Sequence, residues 1–111
     1  MARDMSKSAQ EKLGELQLLQ QRLSLFGGQK QQFQIQLAEV ENALNELGKV
    51  KSTAYKMIGE ILLERPADEL KKELEEKKAE MDIRVKTIEK QEEKTKERAL
   101  ELQKEVQAAL K

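Results

Sequence analysis

The sequence predicts a mostly α-helical protein, an antiparallel two-helix coiled coil whose helices are joined by a β-hairpin. Charged residues make up 38% of the chain and aromatic residues 3%, which argues against a conventional globular core. Apolar residues recur at alternating steps of three and four along two long segments, the period of a left-handed coiled coil. A short segment between them lacks this period. We therefore expect one domain over residues 1–111, with a helix at 6–48, a hairpin at 54–65 and a second helix at 66–110.

The first helix is rich in glutamine, which has good helix propensity and suits a solvated face. Gly27 and Gly28 interrupt it, and each glycine costs about 1 kcal/mol relative to alanine. We expect a bend, a soft point or a break there. The predicted seam of this helix is formed by Leu16, Leu19, Leu23, Phe26, Lys30, Phe33, Leu37, Val40, Leu44 and Leu47.

The hairpin prediction is based on the segment AYKMIGEILLER, which begins at Ala54 and is followed by Pro66. With Gly59 and Glu60 as the central residues of a type II′ turn, glycine occupies the position that needs a positive φ. This register places Ile58 opposite Ile61, and it makes both faces largely apolar. A lone two-stranded hairpin is marginal in water, so we expect other hairpins to pack beside it. The alternative is an apolar helical linker.

The second helix follows Pro66, which suits the first turn of a helix. Asp68 and Glu69 then complement the positive end of the helix dipole. Because the hairpin reverses the chain, the second helix should pack antiparallel to the first and bring both termini to one end. Its predicted seam is formed by Leu74, Lys78, Met81, Val85, Ile88, Glu92, Thr95, Ala99, Leu102, Val106 and Ala109.

The composition gives little support to catalysis or ligand chemistry. The chain contains neither cysteine nor histidine, so it lacks the commonest zinc ligands and the commonest general base. Acidic pairs such as Glu75 and Glu76 are best explained as a solvated helix face. Basic and acidic residues number 21 each, which gives no overall attraction to nucleic acid. We expect no enzyme activity, no cofactor, no metal site, and no nucleic-acid or membrane partner.

The chain contains a glutamine-rich first helix, the run YKMIG at residues 55–59 followed by ILL at 61–63, and a charged second helix ending QEEKTKERALELQKEVQAAL. Together, these features resemble the β-type subunits of prefoldin. Prefoldins are chaperones of archaea and eukaryotes. The resemblance implies a hetero-hexamer of two α-type and four β-type subunits, whose hairpins assemble into an oligomeric β-barrel platform. It also implies ATP-independent holding of unfolded polypeptides at the coiled-coil tips, delivery to a group II chaperonin, and a cytoplasmic location. The double glycine departs from the expected pattern.

This interpretation suggests one set of residues for oligomerisation and another for client binding. The expected oligomerisation residues are Tyr55, Met57, Ile58, Gly59, Ile61, Leu62 and Leu63. The candidate client-binding residues at the tip are Met5, Ala9, Leu13, Leu16, Leu102, Val106 and Leu110. The tip residues could equally belong to the coiled-coil seam. The alternative function is a structural coiled-coil rod or scaffold without chaperone activity, which requires residues 54–65 to be helical.

Overall fold

The computed structural model describes residues 7–50 and 53–110 of the chain. Helix α1 spans Lys7–Leu47, strands β1 and β2 span Thr53–Ile58 and Ile61–Pro66, and helix α2 spans Ala67–Ala109. The chain divides into two compact units. The terminal unit contains residues up to Lys30 and from Thr87 onward, and the hairpin unit contains Gln31–Lys86.

In the terminal unit, the two helices run antiparallel. Lys12 Nζ lies 3.6 Å from Glu105 Oε2, and Arg98 Nε lies 3.5 Å from Glu15 Oε1. The apolar side chains between the helices are removed from solvent, and this burial holds the unit together. The buried apolar residues of this unit are Ala9, Leu19, Ile88, Leu102 and Val106.

In the hairpin unit, the helices are also antiparallel, and Lys78 Nζ lies 3.7 Å from Glu41 Oε1. A small core of Leu47, Ala67 and Leu70 forms where α1 ends and α2 begins. Ala54 from β1 packs against this core, together with Leu74. The core therefore fixes the hairpin to the ends of both helices.

The seam predicted from the heptad pattern agrees with the observed burial. Each predicted seam residue of α1 is buried or half-buried, and in α2 only Ala109 is exposed. The expected break at Gly27 and Gly28 does not occur, because α1 is one continuous helix from Lys7 to Leu47. Phe26 and Lys30, the seam residues on either side of the two glycines, are half-buried. Their packing offsets the poor helix propensity of glycine.

The hairpin has the predicted register, with Ile58 opposite Ile61 and Lys56 opposite Leu63. Gly59 has a φ of 61°, and no non-glycine residue in the described chain has a positive φ. Glu60 therefore does not adopt the second positive φ that a type I′ turn needs, and the turn is type II′. Pro66 is the last residue of β2, opposite Thr53, and α2 follows it at Ala67, one residue later than the expected bound of 66.

Candidate assembly and client-binding surfaces

The hairpin presents one face to the helices and the other to solvent. Side chains alternate across a strand. Ala54 and Lys56 are accordingly half-buried on the inner face, where Lys56 Nζ lies 2.9 Å from Glu73 Oε2 on α2. On the outer face, Met57 is 68% exposed, and Tyr55 and Leu62 are exposed to a similar degree. The outer face is therefore an uncovered apolar surface.

Next to the turn, the hairpin is exposed on its inner face as well. Ile58 and Ile61, which flank the turn, are largely exposed. Of the predicted oligomerisation residues, only Leu63 is half-buried and the others are exposed. We refer to the exposed apolar side chains of Tyr55, Met57, Ile58, Ile61 and Leu62 as the hairpin surface. A concentration of exposed apolar side chains on both faces of one short hairpin is typical of a protein-protein interface.

The candidate client-binding residues differ in their exposure. Ala9, Leu102 and Val106 are buried between the helices, and Leu13 and Leu16 are half-buried. Leu110 is 62% exposed. Met5 lies outside the described residues. Leu110 and part of Leu13 are therefore exposed to solvent, whereas the buried residues contribute to the seam.

Leu100 was missing from the predicted set although it is 54% exposed near the same end of α2. The signal was present in the sequence, because Leu100 lies two residues before the seam residue Leu102 and so falls outside the heptad positions. Leu18 and Leu25 on α1 are exposed for the same reason. Apolar residues outside the seam are better candidates for client contact than the seam itself.

One charged pair interrupts the apolar seam of the terminal unit. Lys30 donates a hydrogen bond from Nζ to Glu92 Oε1 at 2.8 Å. This hydrogen bond raises the pKa of the Lys30 ammonium. Near the end of the unit, hydrogen bonding to Glu101 and the negative charge of Glu15 likewise raise the pKa of the Arg98 guanidinium. Both pKa shifts follow from contacts between the two helices or within α2 that favour the charged form, and Lys30 and Arg98 each pair with a carboxylate of the opposite helix.

The described residues contain no group of three or more acidic side chains positioned to hold a metal ion. Within the same residues, neither helix has an apolar stretch long enough to cross a membrane.

Comparison with known proteins places the chain in a family. The family model described as "Prefoldin subunit" matches residues 10–111. "Prefoldin subunit beta" of Archaeoglobus fulgidus is 38% identical over 109 residues, covering 96% of this chain and 94% of that protein. "Prefoldin subunit beta" of Thermococcus kodakarensis is 36% identical over 104 residues, covering 92% of this chain and 89% of that protein.

The fold leads to the same family. The crystal structure of the prefoldin beta subunit from Thermococcus strain KS-1 superposes with a TM-score of 0.90 at 32% sequence identity. The match covers 99% of this chain and 98% of that one. On sequence and on fold, this chain therefore belongs to the prefoldin subunit family and resembles its β-type members.

Proposed function

We propose that this chain is a β-type subunit of a hetero-hexameric, ATP-independent holdase chaperone of the cytoplasm. Four copies assemble with two α-type subunits through their hairpins, which form a β-barrel platform. The helix ends hold unfolded polypeptides and deliver them to a group II chaperonin. Membership of the prefoldin family supports the general chaperone role and assembly with α-type subunits.

The observation that carries the assembly proposal is the hairpin surface. Two strands cannot bury both of their faces, and such a hairpin alone is marginally stable in water. Here the hairpin concentrates exposed apolar side chains within a short segment and leaves both outer strand edges without partners among the described residues. Pairing with further hairpins satisfies the open edges, and closure of the paired strands into a barrel encloses one of the apolar faces.

The client-binding proposal is supported by the exposed leucines of the terminal unit. Leu100 and Leu110 are exposed near the end of α2, where Leu13 of α1 is half-buried. A few leucines per subunit give weak contacts, but several subunits acting on one client multiply those contacts. Apolar contacts of this kind are also non-directional, which suits a chaperone that accepts many sequences.

The structural requirement of the rod alternative is not met. It requires a helix across residues 54–65, whereas β1 and β2 form a two-residue-turn hairpin there. A rod built on one continuous helix cannot form through a segment that reverses the chain.

The proposed function can be tested by measuring how well the hexamer, assembled with an α-type partner, prevents an unfolded protein from aggregating. The test variant carries Leu100→Ser and Leu110→Ser. The matched control carries Ile35→Ser and Ile83→Ser, two changes of apolar side chains with closely similar exposure in the hairpin unit. Native mass spectrometry checks that both variants form particles of the same mass as the unmodified chain.

We expect the Leu100 and Leu110 variant to suppress aggregation less well than the control pair, because it removes apolar side chains from the proposed holding surface. Deleting residues 1–13, or the residues after Leu102, should have a larger effect in the same direction. If the serine variant and both truncated chains protect the client as well as the unmodified hexamer, clients are held elsewhere.

A further inference from the structure

A groove in the hairpin unit lies between β1 and the two helices. It has a volume of about 280 Å³. Ala43 and Leu47 of α1 and Leu70 and Leu74 of α2 give its helical walls an apolar lining, to which Glu46 and Glu73 add two carboxylates. Tyr55 and Lys56 of β1 form the remaining side, and β2 contributes no lining residue. The groove therefore opens beside the outer edge of β1.

The size and the walls of the groove suit a protein side chain better than a small molecule. Ligand pockets usually enclose about 300–1,000 Å³ and contain a few convergent polar groups. This groove is at the lower limit of that range and is open. Its charged lining residues are already paired, Lys56 with Glu73 at 2.9 Å and Glu46 with Lys49 at 3.4 Å. An apolar centre with a paired, partly exposed polar margin is the arrangement found where one protein anchors a side chain in another.

The free edge of β1 indicates how such a side chain would arrive. β1 pairs with β2 along one edge, and its other edge has no strand beside it in the described chain. A strand added there lies about 4.8 Å from β1 and points alternate side chains toward the same face of the sheet. The inner face of β1, which carries Ala54 and Lys56, is directed at the helices. Inner-face side chains of the added strand therefore lie over the groove.

The hairpin of a second copy supplies a matching strand. Each hairpin has one free β1 edge and one free β2 edge, so joining β1 of one copy to β2 of the next leaves neither edge open between them. On β2, the inner-face residues are Ile61, Leu63 and Arg65, since they pair with Ile58, Lys56 and Ala54. Ile61 is the largely exposed apolar residue among these three.

We propose that, in the assembled particle, the groove beside β1 receives Ile61 from the hairpin of a second copy of this chain. This inference rests on the proposed function, because it assumes that hairpins of neighbouring subunits meet. It extends the interface from the hairpins to the helix walls formed by Ala43, Leu47, Leu70 and Leu74. The helices then help to select which hairpin a subunit accepts.

A cross-linking experiment tests the contact directly. The chain has no cysteine, so an introduced thiol is the only one in each copy of this chain. One preparation carries Ala43→Cys and a second, differently tagged preparation carries Ile61→Cys. Both are assembled together with an α-type partner and treated with a short bis-maleimide. In the control, Ile83→Cys replaces Ile61→Cys at closely similar exposure.

We expect the Ala43 and Ile61 pair to give several times more cross-linked dimer than the control pair. A second measurement fills the groove with Ala43→Phe, and Ala38→Phe on the exposed side of α1 is the control. The Ala43 variant should lose most of the hexamer at concentrations where the Ala38 variant keeps it, with both chains retaining their helical circular dichroism.

The possible failures are distinguishable. If full-mass particles form but the Ala43 and Ile61 cross-link does not exceed the control, the groove inference is overturned while the assembly proposal stands. If the unmodified chain forms no particle with its partner, the proposed function fails and the groove inference fails with it.

Discussion

Leu102, in the seam of the terminal unit, is completely buried, whereas Met57, on the outer face of the hairpin, is 68% exposed. The two regions use similar apolar side chains under different circumstances. The seam faces a second helix of the same chain, so a single copy buries it. The hairpin has one partner strand and helices on one face, so a single copy leaves much of it uncovered. A single copy of this chain therefore buries the seam of its helical pair but leaves much of its two-stranded sheet exposed.

The largest expected effect comes from placing charge on the hairpin. Ile58→Asp combined with Ile61→Asp buries carboxylates between subunits, at a cost of several kcal/mol if they find no partner. We expect loss of the hexamer in native mass spectrometry, with the helical circular dichroism of the chain preserved. Ile35→Asp with Ile83→Asp is the control, since these helical residues are also exposed. An intact hexamer with the hairpin variant contradicts the assignment of the platform.

The next prediction compares two leucines on α2. Leu102→Ala removes a completely buried side chain and should lower the free energy of unfolding by about 2–5 kcal/mol. Leu100→Ala, at a residue that is 54% exposed, should change it by no more than about 0.5 kcal/mol. Urea unfolding followed by circular dichroism measures both. Equal effects would show that exposure does not separate seam residues from surface residues here.

Glycines give a third contrast between the regions. Gly59 has a φ of 61°, so Gly59→Ala should destabilise the hairpin by about 1–3 kcal/mol.

The glycines of α1 should behave in the opposite way. An added Cβ at Gly27 or Gly28 meets nothing within 4 Å, so Gly27→Ala and Gly28→Ala should each raise the free energy of unfolding by about 1 kcal/mol. Hydrogen exchange should also slow around residues 26–32 in the double-alanine variant. Two results would rule out a locally less stable segment there. One is a Gly27→Ala, Gly28→Ala variant that is no more stable than the parent, and the other is a parent whose hydrogen-exchange rates are uniform along α1.

The smallest effect concerns the ion pairs. The pKa of Lys30 is raised by its hydrogen bond to Glu92, so its contribution to stability is complete below the ordinary lysine value of 10.5. That contribution is lost as the pH rises above 10.5 through the folded-state pKa. We expect the thermal midpoint of the parent to fall more steeply above that pH than the midpoint of Lys30→Met. Lys56→Met, which removes the more exposed pair beside the hairpin, should follow the parent closely.

Much of the fold followed from sequence because it depends on local periodicity. The alternating spacing from Leu16 to Leu47 identified the buried side of α1, and Gly59 identified the turn. The start of the second helix differs from the expected bound by one residue, because the fixed φ of Pro66 suits the end of an edge strand as well as the start of a helix. The break expected at Gly27 did not occur, because packing on either side outweighs the local propensity.

The surfaces were harder to predict than the elements. Leu100 and Leu102 are chemically identical, and only their positions relative to the heptad separate an exposed side chain from a buried one. The groove beside β1 could not be predicted at all. It depends on how Ala43, Leu74 and Tyr55 approach one another in space, and they belong to three different elements.

The antiparallel pairing also restricts how the chain can change in length during evolution. Lys12 lies beside Glu105 in one unit, and Glu41 lies beside Lys78 in the other. Deleting one residue from α1 would rotate the rest of that helix by about 100° and turn its seam away from α2. Length changes that preserve the packing are therefore whole heptads, made in both helices together. Among related chains, insertions and deletions in α1 should be matched by equal ones in α2, whereas the two-residue hairpin turn should keep a constant length.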